Sequence, residues 1–204
     1  MCSSDLSAKT SARGVDWPMF GFVPTRSNAG PASTGIAAKN VSHLRHQRVR
    51  LDGTVDSSAI YLHDVAVHGA SHDTLFVTTT YGRTEAIDAS SGKVLWRFTP
   101  PGYSSFVGGP QITNATPVAS TDRTAIYAAA PDGRIRKLRV SDGKVLWTTA
   151  VTRDPTHEKL TSSLNVSRGL VLVSMPAPRK EAGGTIKPAP LAVGEAVLQF
   201  STLP

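Results

Sequence analysis

The sequence predicts an all-β fold built from repeated four-stranded antiparallel sheets. Two observations carry this expectation. Tyr81 to Phe98 reads YGRTEAIDASSGKVLWRF and Asp132 to Thr149 reads DGRIRKLRVSDGKVLWTT. The two stretches align without a gap at a spacing of about 51 residues, within the range of repeat architectures. Gly82, Arg83, Ser90, Gly92, Lys93, Val94, Leu95 and Trp96 fall on Gly133, Arg134, Ser141, Gly143, Lys144, Val145, Leu146 and Trp147. The second observation is periodicity: inside each copy, short β-prone runs alternate polar and apolar residues and are separated by glycine-bearing turns.

The first copy resolves into elements in order. Leu75 to Thr80 is rich in β-branched and aromatic residues, and Thr84 to Asp88 and Lys93 to Phe98 alternate. Tyr81-Gly82 and Ser90-Ser91-Gly92 punctuate them, as Asp132-Gly133 and Ser141-Asp142-Gly143 do in the second copy, supplying glycine where hairpins need positive φ. The match extends upstream, with Leu75-Phe76-Val77 opposite Ile126-Tyr127-Ala128. A fourth strand is expected before each unit, at Ser58 to Leu62 and at Asn114 to Val118, with Pro117 at an edge or strand end. Four short strands recurring at this period make a β-propeller blade.

A third copy is degenerate. Gly194 to Phe200 reads GEAVLQF against GKVLWRF at Gly92 to Phe98, with Leu198 in the place of tryptophan. Its preceding strand, Leu170 to Ser174, comes earlier than the period requires. The expected organisation is a disordered or artefactual leader over 1–15, propeller blades over 16–174, and a blade remnant or disordered tail over 175–204. The leader, MCSSDLSAKTSARG in its first fourteen residues, shows no basic start and apolar run of an export signal.

Composition removes several function classes. The chain has 204 residues, 40% of them hydrophobic, and a single cysteine, so a packed core is available and a disulfide scaffold is excluded. No apolar run reaches the roughly 20 residues that a membrane-spanning helix needs. The net charge of +7 comes from scattered basic residues interleaved with acids. The densest group, Arg134, Arg136, Lys137 and Arg139, alternates between strand faces and reads as a solvated or edge strand, not a nucleic-acid stripe. His43, His46, His63, His68 and His72 have no metal-ligand spacing, and His72-Asp73 reads as the turn before the strand at Leu75. Asn40, Asn114 and Asn165 open glycosylation sequons, which carry weight only in a eukaryotic secretory setting.

Ala86 to Trp96, AIDASSGKVLW, resembles the tryptophan-docking motif of quinoprotein-type propellers, A-x-D-x-x-[ST]-G-x-x-x-W, at every fixed position. The second copy keeps Ser141, Gly143 and Trp147 but has Lys137 and Arg139 at the Ala and Asp positions. Asp16 to Gly21 (DWPMFG) and Asn40 to Leu44 (NVSHL) also look like this family's lead-in. The chain thus resembles the PQQ-binding-repeat, quinoprotein alcohol dehydrogenase-like propellers, over about residues 16 to 174.

The resemblance implies an incomplete ring, since such rings carry about seven or eight blades, and an extracytoplasmic location. It implies that Ala86, Asp88, Gly92, Trp96, Gly143 and Trp147 are structural docking residues, each indole stacking on the next blade's turn. It also implies two functional classes. One is a non-catalytic binding or assembly scaffold whose partner is a protein or the remaining blades. The other is a fragment of a PQQ-dependent alcohol or sugar dehydrogenase. Those enzymes hold PQQ with calcium through an aspartate, a glutamate and an asparagine, often under a vicinal cysteine pair. With Cys2 alone and Asp56, Asp64, Asp88, Asp132 and Asp142 at turns or in the repeat, no catalytic, cofactor or metal residue is assigned, and PQQ is expected only in a complete ring. The scaffold is the favoured expectation. A sugar- or peptide-binding surface would need Tyr61, Tyr103 and Phe106 exposed together.

Overall fold

The computed structural model describes residues 14–30, 36–44, 46–174 and 196–198. Four strands, β1 (Ile60–Val67), β2 (Ala70–Thr78), β3 (Thr84–Asp88) and β4 (Val94–Phe98), form one sheet in sequence order. After a single helical turn, α1 (Tyr103–Phe106), a second sheet repeats the order with β5 (Val118–Ala119), β6 (Ala125–Ala130), β7 (Arg134–Arg139) and β8 (Val145–Ala150). Every neighbouring pair in these sheets is antiparallel. The expected blade is therefore present twice, and Pro117 sits immediately before β5, where its missing N–H breaks no ladder bond.

The sheets stack face to face. Along β6, Ile126 and Ala128 join Phe76, Ala86 and Trp96 of the first sheet in one buried cluster. Tyr127 and Ala129, pointing the other way as strand alternation requires, join Leu164, Val166, Val171 and Val173 in a second. Full burial of a side chain such as Phe76, Ile126 or Leu138 contributes roughly 1.5 to 3 kcal/mol, so the two inter-sheet layers are the core. All five residues of β3 are buried, because that strand is covered on both faces.

Two irregular segments complete this arrangement. The amino-terminal segment runs along the inner edges of the sheets: Trp17 bridges Tyr61 of β1, Pro18 O accepts Ala119 N–H of β5 at 2.8 Å, and Pro24 O accepts Asn165 Nδ2–H at 3.2 Å. Residues 46–57 lie against the first sheet on the side away from the second. Asp52 pairs with Arg83, and Thr54 O accepts the Thr80 N–H at 2.8 Å.

Three expectations are corrected. His72 and Asp73 lie inside β2, and the turn falls at His68-Gly69, because β1 and β2 extend past the predicted ends and pair as far as Val67 and Ala70. The strand carrying Arg134 to Arg139 is neither an edge nor solvated throughout. It pairs on both sides, and Arg136 is only 4% exposed, paired with Asp132 and lying 5.7 Å from the Phe98 ring centroid. The third unit differs as well. Its strands β9 (Asn165–Ser167) and β10 (Leu170–Val173) are antiparallel, but β11 (Ala196–Leu198) runs parallel to β10. An outer strand of a regular sheet runs in the same direction as the second strand, so one placed directly beside it pairs in parallel. The rest of Gly194 to Phe200, the leader to residue 13 and the tail at 175–195 lie outside the described residues.

Candidate functional site: the contact between successive sheets

The two glycine turns have the same backbone wiring. Asp88 N–H bonds Lys93 O at 2.9 Å and Gly92 N–H bonds Asp88 O at 2.8 Å; Arg139 N–H bonds Lys144 O and Gly143 N–H bonds Arg139 O, each at 2.8 Å. Both glycines have positive φ, 73° and 71°, a region that favours glycine.

Gly143 receives the indole of the preceding sheet. Trp96, on β4, is 6% exposed, and its Nε1–H donates to Val140 O at 2.7 Å. A Cβ built at Gly143 would stand 2.6 Å from Trp96 Cε3. Ala86 faces Trp96 across the β3–β4 pair and is fully buried, leaving room for the ring, and Phe76 lies 5.8 Å away between ring centroids. Trp147 has the equivalent place on β8 and an equivalent neighbour, Tyr127, at 5.8 Å. It is only partly buried, and its Nε1 has no hydrogen-bond partner among the described residues.

Asp88 closes its turn with one carboxylate. Its Oδ1 accepts from Ser90 Oγ at 2.6 Å, Ser91 Oγ at 2.7 Å and Ser91 N at 2.6 Å, while His72 Nδ1 meets Oδ2 at 2.6 Å. The hydrogen bonds from Ser90, His72 and Ser91 hold this carboxyl well below the usual carboxylate range. In the second sheet Arg139 replaces the aspartate and pairs with Asp142, 3.1 Å away, so the turn is held by an ion pair within itself.

A carboxyl whose folded pKa is depressed contributes stability in full above its unfolded value, and loses it as pH falls through the folded one. Asp88→Ala should therefore cost about 2 to 3 kcal/mol near neutrality, the scale of lost hydrogen bonds to a charged group. The gap to wild type should close as pH is lowered below about 4. Denaturant midpoints across this range check both statements, and a gap independent of pH would contradict them. Asp122, pushed down to about 2 by Ser120 and Thr124, contributes a further acid-sensitive increment in both proteins.

The remaining candidates are dispersed. Phe106 is buried, Tyr103 lies 4.2 Å from the Arg83 guanidinium, and Tyr61 turns toward Asp73. The three therefore make no common exposed patch. Burial and the neighbouring Asp73 carboxylate push the Tyr61 hydroxyl up to about 12. His63 pairs with Asp73 at 2.6 Å, and among the described residues no three His, Cys, Asp or Glu side chains converge in a way that could hold a metal. Sequence reasoning missed Glu85, which is fully buried on β3 with Oε1 2.6 Å from Arg97 Nε. Its only signal was position: Arg136 stands one repeat later and is also a buried charge.

The chain is 26% identical over 140 residues to the dehydrogenase subunit of the quinone alcohol dehydrogenase of Acetobacter aceti, covering 64% of this chain and 18% of that one. It is 24% identical over 136 residues to quinohemoprotein alcohol dehydrogenase ADH IIB of Pseudomonas putida, covering 65% and 19%. It thus spans about a fifth of these relatives. The solved structure of quinohemoprotein alcohol dehydrogenase ADHIIG of Pseudomonas putida superposes with a TM-score of 0.61 at 19% identity, over 76% of this chain and 22% of that one. That likeness bears on the fold: these sheets are blades of a β-propeller, and the described residues form an arc that does not close into a ring. Residues 43–183 match the PQQ_2 repeat family, described as outer membrane protein assembly factor BamB, and the chain belongs to that family.

Proposed function

We propose that this chain is a binding or assembly scaffold of the extracytoplasmic space, without chemistry of its own, and that Ala86, Asp88, Gly92, Trp96, Gly143 and Trp147 are its blade-docking residues. The observation that carries this reading is where the repeat's distinctive side chains are used. Trp96 is spent on Gly143 and Val140 of the next sheet, and Asp88 on its own turn. The family's description as an outer membrane assembly factor supports the location and a protein partner. No helix among the described residues is long and apolar enough to cross a membrane. The connections at 99–117 and 151–164 leave the sheets at the same end as the β2–β3 and β6–β7 turns, and loops on a rigid scaffold are where binding surfaces concentrate.

The similarity to quinone-dependent dehydrogenases supports a second reading, in which these blades are part of a larger oxidoreductase. The described residues do not fit a PQQ and calcium site. Asp88, Asp122, Asp132 and Asp142 are each engaged by local donors, and no acidic set converges. No chemical step is assigned through that cofactor. Titration of PQQ with calcium into the purified chain, followed by dye-linked alcohol oxidation, distinguishes the readings. The scaffold predicts no saturable binding by a folded, β-rich sample, and binding with turnover would replace it with the enzyme.

A further inference from the structure

The dipeptide Asp-Gly occurs three times, at Asp52-Gly53, Asp132-Gly133 and Asp142-Gly143. Such a bond is open to attack from within the chain, because glycine has no Cβ to shield its nitrogen or to limit its φ and ψ. The attack needs a glycine N–H released from hydrogen bonding, a carboxyl free to turn toward it, and water.

In the two repeat turns these conditions are not met. Gly133 N–H donates to Ala130 O at 3.1 Å and Gly143 N–H to Arg139 O at 2.8 Å. A buried or turn-forming backbone N–H does not leave its acceptor without cost. Both carboxylates are also fastened: Asp132 accepts from Arg136 and from Arg134 N–H, and Asp142 from Arg139 and from Lys144 N–H. Their side chains are 19% and 22% exposed.

Asp52-Gly53 is built the opposite way. Gly53 N–H has no partner among the described residues, and the residue lies in an exposed bend with φ of 137°. The Asp52 side chain is 66% exposed, and among the described residues its carboxylate bonds only Arg83, through one oxygen. The same Arg83 Nη1 donates to Asp52 O at 3.2 Å. That double contact holds Cγ beside the carbonyl oxygen, on the side of the peptide plane away from Gly53 N, so Arg83 is the restraint on the carboxyl.

We infer that Asp52 is a site of spontaneous backbone isomerisation in the folded protein, and that Arg83 sets its rate. Gly53 N attacks Cγ of the protonated carboxyl. The new C–N bond closes a five-membered succinimide, and the carboxyl OH departs with the amide proton as water. Water then adds to one of the two ring carbonyls. Opening at the α-carbonyl leaves the chain linked through the former side chain, as isoaspartate; opening at the other restores aspartate. One water is lost and one gained, so the mass is unchanged and no oxidant or reductant takes part. The isomer carries an extra methylene in its backbone and a displaced carboxylate. It can no longer bond Arg83 as Asp52 does, and residues 46–57 lose one of their ties to the first sheet.

The test is incubation of the full chain for weeks at neutral pH and physiological temperature in water enriched in heavy oxygen, followed by tryptic mapping in ordinary water with electron-transfer fragmentation. The peptide that begins at Leu51 should split into two species of equal mass, both labelled at residue 52, while those holding Asp132 and Asp142 stay single and unlabelled. In denaturant all three sites should react, which shows that the fold and not the dipeptide discriminates. Asp52→Glu keeps a carboxylate but must close a larger ring, and should lose both the split and the label; Gly53→Ala should lose most of them. Arg83→Gln should accelerate the change at residue 52 alone. If that variant unfolds, high salt, which screens the exposed pair, should have the same effect on wild type. A folded chain that stays unsplit at residue 52 after the denatured chain has reacted overturns the inference, as does equal reaction at all three sites. A rate at residue 52 indifferent to both Arg83→Gln and salt overturns the role given to Arg83.

Discussion

Trp96→Ala should lower the unfolding free energy by about 3 to 5 kcal/mol, the range for deleting a buried aromatic side chain. The indole is 6% exposed and fills the layer between the first and second sheets, with Phe76 on one side and the Gly143 backbone on the other. Its removal opens a cavity bounded by two sheets that cannot both collapse into it. It also deprives Val140 O of its donor, whose bond measures 2.7 Å. Against a total stability of about 5 to 15 kcal/mol for a domain, such a loss is a large fraction. Trp96→Phe separates the contributions: it keeps an aromatic ring in the layer but loses the hydrogen bond, and should cost about 1 to 3 kcal/mol. Trp147→Ala is the internal control, since that indole is only partly buried and its Nε1–H donates to no described residue. Urea denaturation of the three variants at equal protein concentration measures the differences. Equal midpoints for Trp96→Ala and Trp147→Ala would show that the inter-sheet contact does not hold the sheets together.

Much of this layer is legible in the sequence. The gapless repeat located β3, β4, β7 and β8, because identical turn residues at a fixed spacing leave little freedom in strand register; it did not locate the ends of β1, β2 and β5, which lie outside the matched stretch. Gly92 and Gly143 were readable as turn residues from their context, and both adopt positive φ. What the sequence could not give was which charges go inside. Arg136 looked solvated because a β-strand of alternating basic residues ordinarily is. It is buried because β7 has sheets on both faces, so each alternate side chain meets protein, and Asp132, four residues earlier, neutralises it. Glu85 was invisible for the same reason, its partner Arg97 lying across the strand pair. The segment over 46–55 was equally hidden. It carries neither the tryptophan nor the glycine turn of the repeat, and its place on the first sheet is fixed by contacts with Arg83, Thr80 and Gly92, remote in sequence.

The second large effect is expected at Gly143, where two costs fall on one residue and can be separated. Its φ of 71° penalises any L side chain, by about 1 to 2 kcal/mol. Gly69, at the β1–β2 turn with φ of 82°, bears the same conformational penalty, but a Cβ there would meet nothing within 4 Å. Gly69→Ala should therefore cost about 1 to 2 kcal/mol and leave Trp96 undisturbed. A Cβ at Gly143 would stand 2.6 Å from Trp96 Cε3 and 2.8 Å from Cδ2, so the indole must withdraw. Because Trp96 is held by Ala86 and Phe76 behind it and by Val140 O at its nitrogen, withdrawal breaks the hydrogen bond and opens the layer. Gly143→Ala should cost about 3 to 5 kcal/mol in all, combining backbone strain with overpacking. It should also shift the tryptophan fluorescence to longer wavelength as the indole meets water. In the Trp96→Ala background the same substitution should fall to the cost of Gly69→Ala, since the atoms it struck are gone. That non-additivity, read in a double-mutant cycle, is the signature of direct contact; additive costs would mean that the Gly143 turn is sensitive for reasons unconnected with the indole.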